Sequence, residues 1–285
     1  MSRLVVQHPH LGDHAVAAFR AALGRAPTLH LPQLAVWEPA TLDGDRVGEL
    51  ADALGVDAEI VPMSARLSDY RLLAFDMDST LITIECIDEI ADYAGRKAEV
   101  AAITEAAMRG EIANFEESLR RRVALLEGLP ATVLARVYEE RVRLSPGADA
   151  LIVAARAAGL KMLLVSGGFT YFTERLAPRL GIDFSRANLL EIAHGRLTGR
   201  VLGEVVDAEV KRRVLEETCA AIGCTPAQAI VVGDGANDLK MMSVAGVSVA
   251  YRAKPRVRTE TTHAINHCGL DAILNWFVDQ LPAAP

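Results

Sequence analysis

Three segments of this 285-residue chain combine acids, hydroxyls and glycines directly after short apolar runs. They are Asp76-Met77-Asp78-Ser79-Thr80, Ser166-Gly167-Gly168 and Gly233-Asp234-Gly235-Ala236-Asn237-Asp238. The apolar runs are typical of buried parallel strands, and ligands bind at the carboxyl ends of such strands in an open α/β sheet. We therefore expect the three segments to face one cavity. Several acids in a dry cavity repel each other unless a cation lies among them, and all-oxygen ligands favour a hard ion such as Mg²⁺.

Other motifs fit these segments poorly. An EF-hand loop needs glycine where the first segment continues with Leu81, and a dinucleotide fingerprint needs glycine where Asp238 stands. The sequence contains no G-x4-G-K-[ST] phosphate-binding loop. Helix capping is the ordinary explanation for acids after a strand. The coincidence of three polar strand ends favours a functional site instead.

A zinc site is the alternative metal interpretation. Cys219-x4-Cys224 and His263-x3-His267 each have the spacing of a ligand pair, with Cys268 beside the second pair. Nearly forty residues separate the pairs, whereas zinc fingers use about 12–15. Four cysteines are also too few for a disulfide scaffold and suit a reducing compartment. We expect ordinary reduced side chains here.

Composition narrows the class of protein. The chain is 51% hydrophobic and 24% charged, with a net charge of −7, which indicates a globular protein and argues against nucleic acid as a partner. No apolar run reaches the ~18 residues of a membrane span, and residues 1–14 lack the apolar centre of a signal peptide. We therefore expect no membrane partner and a cytoplasmic location.

Hydrophobic periodicity predicts the elements that position the three segments. The run at 71–75 is a strand, and four helices follow without a strand, at 87–94, 98–108, 114–126 and 131–142. Strands and helices then alternate: strands at 161–165, 229–232 and 247–250, helices at 169–180, 208–222 and 238–245, and a hairpin at 189–193 and 197–201. This pattern predicts an α/β fold with a doubly wound parallel sheet and a helical cap at about 86–144, inserted after the first core strand.

Two basic residues lie where a charge is unfavourable. Lys211 falls on the apolar arc of its helix with Val210 and Val214, near the helix start, where the dipole disfavours a cation. Arg122 lies on the apolar face with Leu119 and Leu126, whereas the two arginines before it point away. A snorkelling side chain is the simple explanation for Lys211. A charge on a buried face otherwise needs a partner.

The ordered motifs resemble those of the haloacid dehalogenase superfamily. The similar segments are Asp76-x-Asp78-Ser79-Thr80, Ser166-Gly167-Gly168-Phe169, the helix-borne Lys211, and Gly233-Asp234-Gly235-x-Asn237-Asp238. The resemblance runs from about residue 70 to 275 and includes the cap segment 114–123. It implies a Rossmann-like core and a Mg²⁺-dependent hydrolase of O-phospho-L-serine that releases L-serine and phosphate, the last step of serine biosynthesis.

The resemblance also implies a role for each matching residue. Asp76 would be the nucleophile that forms an aspartyl-phosphate, and Asp78 the general acid and base. Mg²⁺ would bind to Asp76, Asp234 and the backbone carbonyl of Asp78, with Asp238 in support.

Substrate contacts follow in the same way. The phosphoryl oxygens would bind to Ser166, the Gly167 amide, Lys211 and Asn237. Glu85 would take the ammonium group of the substrate and Arg122 its carboxylate, for which a bidentate fork is suited. For Glu85, an ordinary first-turn helix glutamate is the competing explanation.

Two other functions stay open at this point. The protein could be another small-molecule phosphomonoesterase of the superfamily, or a catalytically silent phosphoserine sensor whose first 69 residues are the output module. A sensor has no need of the general acid Asp78, which argues against silence. The sequence is also compatible with a homodimer.

Residues 1–69 are predicted to form a separate small α/β module ahead of the phosphatase domain at 70–285. Strands at 4–7 and 58–61, helices at 13–23 and 45–54, and an extended segment at 29–37 give the order β-α-β-α-β. This order is loosely compatible with the ACT-type amino-acid-binding domain of some members of the superfamily. No chemical motif falls inside the module, so its role is not predicted.

Overall fold

The N-terminal part forms a four-stranded antiparallel sheet with two helices, in a computed structural model that describes residues 1–282. Its elements are β1 (Ser2–Gln7), α1 (Asp13–Leu23), β2 (Leu29–Leu31), β3 (Leu34–Trp37), α2 (Gly44–Leu54) and β4 (Asp57–Pro62), with sheet order β2-β3-β1-β4. The prediction of one extended segment at 29–37 was wrong. Leu31 pairs with Leu34, so Pro32 and Gln33 form a two-residue hairpin turn. The order is therefore β-α-β-β-α-β, a split-βαβ arrangement.

The larger sheet has seven strands and carries the polar segments. Its elements are β5 (Leu72–Phe75), the helices α3 (Cys86–Tyr93), α4 (Lys97–Met108), α5 (Phe115–Ala124), α6 (Thr132–Glu140) and α7 (Ala148–Ala157), then β6 (Lys161–Phe169), α8 (Thr170–Leu180), β7 (Phe184–Ala193), β8 (Arg196–Leu202), α9 (Ala208–Ala221), β9 (Ala229–Gly233), α10 (Leu239–Met242), β10 (Val247–Tyr251), α11 (Pro255–Arg258) and β11 (His263–Ile265). The sheet order is β11-β10-β9-β5-β6-β7-β8, and only the β7–β8 pair is antiparallel.

The predicted α/β fold with a doubly wound sheet and a helical cap is confirmed. Alternate residues of β5 are buried on opposite faces: Leu73 and Phe75 join one apolar cluster, and Leu72 and Ala74 join another. Helix α7 and strand β11 were not predicted, and α10 is shorter than the predicted 238–245. Within residues 1–282, no helix is long and apolar enough to cross a membrane.

The N-terminal sheet packs between its own helices and the larger domain. Leu4 and Val6 of β1 face α1 and α2, whereas Val5 joins the apolar cluster of the larger domain. Two acids of β4 complete the junction. Asp57 accepts hydrogen bonds from the backbone N–H groups of Asn266 (2.7 Å) and Cys268 (2.8 Å). Glu59 accepts one from Ala264 (2.8 Å). The module therefore covers donors in and just after β11, and the predicted boundary at 69/70 crosses a shared core.

Candidate active site

The site begins where β5 ends. Asp76 is 5% exposed, its N–H donates to Val232 of the neighbouring β9 (3.0 Å), and its Oδ1 accepts a hydrogen bond from the Met77 N–H (2.6 Å). A single wide turn at Met77–Leu81 follows, closed by a hydrogen bond from the Ile82 N–H to the Met77 carbonyl (2.9 Å), and within it Ser79 has a left-handed backbone with φ of 56°. This turn directs the chain out of the sheet and into the cap. Asp76 therefore lies at the carboxyl end of a central strand, one residue after β5 ends.

Lys211 lies fully buried beside Asp76. Its Nζ is 2.7 Å from Asp76 Oδ2 and 2.8 Å from Asp238 Oδ1. Burial opposes the charge of Lys211, but the carboxylates of Asp238 and Asp76 more than offset it and hold the pKa of the lysine above its ordinary value. Asp207 positions the lysine by capping α9, since its side chain accepts from the Val210 N–H (2.9 Å). The buried ammonium group of Lys211 is therefore held against Asp76, the acid that the sequence analysis expects to be the nucleophile.

Three carboxylates form a cluster that fits a hard cation. One oxygen each of Asp76, Asp234 and Asp238 lies within 4.8 Å of the others. Burial, together with the charge of Asp76, raises the pKa of both Asp234 and Asp238 to about 7. The Thr80 hydroxyl donates to Asp234 Oδ1 (2.8 Å). A cation among these carboxylates would relieve the desolvation and repulsion that raise the two pKa values, and all-oxygen donors favour Mg²⁺.

The carboxyl group of Asp78 lies apart from this cluster, beside the second polar segment. A Cβ on Gly168 would lie 2.7 Å from Asp78 Oδ2, so glycine is needed for this close approach. Burial, and then the charge of Glu85, raises the pKa of Asp78 well above its usual range. Asp78 therefore keeps its proton to a higher pH than an ordinary aspartate, as a proton donor requires.

The Ser166-Gly167-Gly168 segment lies inside β6, which is longer than predicted and has an irregular register between Val165 and Phe169. Ser166 is fully buried, and its Oγ accepts a hydrogen bond from the Gly168 N–H (2.9 Å). A Cβ on Gly167 would lie 2.9 Å from the ring of Phe115 on α5. Gly167 thus brings the cap directly onto the segment.

The cap contributes one acidic and one basic residue. Glu85 precedes α3 and accepts a hydrogen bond from the Ser79 hydroxyl (2.5 Å), and partial loss of solvent raises the pKa of Glu85. Arg122 is half-buried on α5, and among residues 1–282 no carboxylate lies within 4 Å of its guanidinium. Burial lowers the pKa of Arg122, while the charges of Glu85 and Asp88 oppose this shift. The Nε of Arg122 donates to the Ser118 carbonyl one turn earlier in α5 (3.3 Å), so the terminal nitrogens of its fork are the groups that face no carboxylate partner among residues 1–282.

The neighbouring arginines differ from Arg122 as their periodicity indicates. Arg120 pairs with Glu116 (2.8 Å), and Arg121 pairs with Glu117. Their side chains are 45% and 55% exposed, respectively. The three consecutive arginines therefore have different surroundings.

Asn237 is half-buried and folds back over Gly235, where a Cβ would lie 2.1 Å from its Oδ1. The candidate zinc pairs do not come together: in the described part of the chain, the acid cluster is the only group of three or more potential ligands. The four cysteines are free, and His263 contacts Glu59 (2.9 Å).

Sequence reasoning missed two supporting side chains. Thr80 holds Asp234, and Asn188 on β7 contacts the backbone at Gly167 and Val206. Thr80 lies in the first polar segment, which is a usable signal. Asn188 lies in an apolar strand pattern, and its hydrogen-bond partners are backbone groups. Because every residue type has such groups, the sequence does not show which ones Asn188 contacts.

Comparison with known proteins assigns this arrangement to a class. The family model of haloacid dehalogenase-like hydrolases matches residues 70–246. This span is more than half of the chain, so the protein belongs to the haloacid dehalogenase-like hydrolase family. The resemblance found in the sequence is confirmed.

Individual relatives within the family indicate a narrower group of enzymes. A phosphoserine phosphatase from Polaromonas sp. is 58% identical over 224 residues, which cover 77% of this chain and 95% of the relative. The solved structure of a probable phosphoserine phosphatase from Vibrio cholerae, in its unliganded form, has a TM-score of 0.81 and 38% identity, covering 98% of this chain and 87% of that one. A substrate-bound phosphoserine phosphatase complex has a TM-score of 0.69 and 38% identity, covering 73% of this chain and 98% of the other.

Proposed function

We propose that this protein is a phosphoric monoester hydrolase that converts O-phospho-L-serine to L-serine and phosphate and so completes a serine-synthesis route. One observation carries the proposal. The buried Asp76–Lys211 pair lies below a cap that holds the carboxyl group of Glu85 and the guanidinium of Arg122, which has no carboxylate partner within 4 Å among residues 1–282. These groups are complementary to the phosphate, ammonium and carboxylate of phosphoserine. The 58% identical phosphoserine phosphatase of Polaromonas sp. supports the same assignment.

The reaction proceeds in two transfers of the phosphoryl group. A carboxylate oxygen of Asp76 attacks phosphorus while the bond from phosphorus to the seryl oxygen breaks, and Asp78 gives its proton to that oxygen. Serine leaves and an aspartyl-phosphate remains. Asp78 then takes a proton from a water molecule, the water oxygen bonds to phosphorus, and the bond to Asp76 breaks. The raised pKa of Asp78 suits the first of these proton transfers.

The phosphoryl group is held by donors from separate elements. Lys211 supplies a positive charge beside Asp76, and Ser166 supplies a hydroxyl. The N–H of Gly167 and the side chain of Asn237 complete the set. Donors fixed before the reaction stabilise the charge of the transition state without having to reorganise.

Mg²⁺ fits the acid cluster and is the proposed cofactor. Asp76, Asp234 and the backbone carbonyl of Asp78 would hold it, with Asp238 in support. When bound, Mg²⁺ supplies positive charge that offsets the repulsion between the Asp76 carboxylate and the phosphate dianion. Thr80 keeps Asp234 oriented towards the cluster.

Phosphate release from a panel of phosphomonoesters, with Mg²⁺ and after EDTA treatment, tests the function. O-phosphoserine should be the preferred substrate, EDTA should abolish activity, and Mg²⁺ should restore it. Binding of O-phosphoserine without turnover in Mg²⁺ would favour the sensor interpretation. Equal rates on phosphomonoesters without an amino-acid group would show a broader phosphatase.

A further inference from the structure

One buried side chain outside the proposed machinery joins two of its elements. Asn188 of β7 is 1% exposed and pairs with Phe169 where β6 resumes its register after the polar segment. Its amide is turned towards the Ser166-Gly167-Gly168 segment on one side and towards the start of α9 on the other.

Both ends of the Asn188 amide have backbone partners. Its Nδ2 donates to the Gly167 carbonyl (2.7 Å), and its Oδ1 accepts from the Val206 N–H (2.8 Å). Both distances are those of good hydrogen bonds. Because the side chain is buried, water does not replace either bond, and losing the amide would leave a carbonyl and an N–H without partners.

The Gly167–Gly168 peptide is consequently held on both sides. Its carbonyl receives the Asn188 bond, and its N–H donates to Ser166 Oγ (2.9 Å). A hydroxyl has one donor and two acceptor sites. Since the Gly168 N–H occupies an acceptor site of Ser166, the serine proton is free to point at a phosphoryl oxygen. A rotated peptide would release this constraint.

The two hydrogen bonds of the Asn188 amide form a clamp, and its Oδ1 end contacts the segment before α9, the helix that carries Lys211. Val206 immediately precedes Asp207, which caps α9, and Lys211 lies four residues beyond that cap. Asn188 therefore fixes the distance between the serine–glycine segment and the helix that carries Lys211. These two elements are adjacent in space but separated by some forty residues in sequence.

We infer that Asn188 is a positioning residue for phosphoryl binding, acting through the Gly167–Gly168 peptide and the start of α9. The inference rests on the proposed function for the identity of the bound group. It assigns to Asn188 no contact with the substrate.

Binding of inorganic phosphate tests the inference separately from turnover. Asn188→Leu keeps the branching of the side chain at Cγ, adds no charge and removes both hydrogen bonds. We expect it to weaken phosphate binding roughly tenfold to hundredfold, because binding must then restore the orientation of the Gly167–Gly168 peptide and the start of α9, which Asn188 fixes in the unmodified protein. The control is Asn275→Leu, which removes a comparable amide bond to Gln7 (2.8 Å) at the module junction. Both variants should lower Tm, but only the first should change phosphate affinity.

An Asn188→Leu protein with unchanged phosphate affinity, or equal losses in both variants, would overturn the inference. Amide hydrogen exchange in the unmodified protein applies even if the variant does not fold. The Val206 N–H should exchange slowly, and phosphate should slow the Gly168 and Val206 amides together. Exchange of Val206 at the rate of a free peptide would also refute the clamp. Phosphate binding without hydrolysis of O-phosphoserine would instead refute the proposed function.

Discussion

Arg122→Ala is the sharpest test of substrate recognition. The guanidinium of Arg122 is half-buried, its Nε donates to the Ser118 carbonyl (3.3 Å), and it has no carboxylate partner within 4 Å among residues 1–282, so its terminal nitrogens are available to a ligand. Removing one partner of a buried, hydrogen-bonded charge pair costs about 2–5 kcal/mol. Because Arg122 is only partly shielded from solvent, the lower part of this range applies, about 2–3 kcal/mol. At about 1.4 kcal/mol per decade, kcat/KM on O-phosphoserine should fall roughly 30- to 150-fold.

Phosphoethanolamine provides the matched substrate because it keeps the ammonium group and lacks the carboxylate. On the unmodified protein it should be a poor substrate, and Arg122→Ala should change its kcat/KM little, since the group that the arginine serves is missing. Arg121→Ala is the control variant. That side chain is 55% exposed and, among residues 1–282, pairs with Glu117 alone, and such a surface pair contributes little.

The assay is phosphate release by the three proteins on the two substrates. The decisive quantity is the ratio of the two kcat/KM values for each protein. Arg122→Ala should bring this ratio close to one, and Arg121→Ala should leave it unchanged. Equal losses on both substrates would show that Arg122 is structural or serves the phosphate, and the reasoning from its missing carboxylate partner would be wrong.

Three further predictions concern the acids. Asp76→Asn should fold but show no turnover, and rapid quench should trap an acid-stable, base-labile phosphoenzyme only in the unmodified protein; a labelled variant would exclude Asp76 as nucleophile. Folding raises the pKa values of Asp234 and Asp238 from 3.8 to about 7, so between these two pH values the folded state binds more protons than the unfolded state. The metal-free protein should therefore lose stability as pH rises from about 4 to 7, and Mg²⁺ should raise Tm more at pH 8 than at pH 5; an equal rise would contradict this coupling. Asp57→Ala should lower the free energy of unfolding by about 1–3 kcal/mol, because buried N–H groups lose their acceptor, with kcat unchanged; calorimetry against the exposed control Asp52→Ala tests it.

The sequence alone determined the parts of this protein that local patterns encode. Apolar runs followed by Asp76, Ser166 and Asp234 mark strands with polar carboxyl ends, and parallel strands bring such ends together. Helical periodicity separated Arg122 from the two arginines before it, because burial on a helix follows a 3.6-residue repeat. The α/β fold and the cap follow from the same signals.

Only the tertiary structure decided the contacts between distant segments. Asn188 bonds to the backbone at Gly167 and Val206, and Asp57 bonds to N–H groups in the segment after β11. Every residue type carries a backbone N–H or C=O, so the partners of these side chains cannot be identified from composition or spacing. The division of 29–37 into β2 and β3 was likewise settled by pairing across the sheet. Residue types show which functional groups the site contains. How these groups are positioned depends on which backbone groups the fold brings within hydrogen-bonding distance.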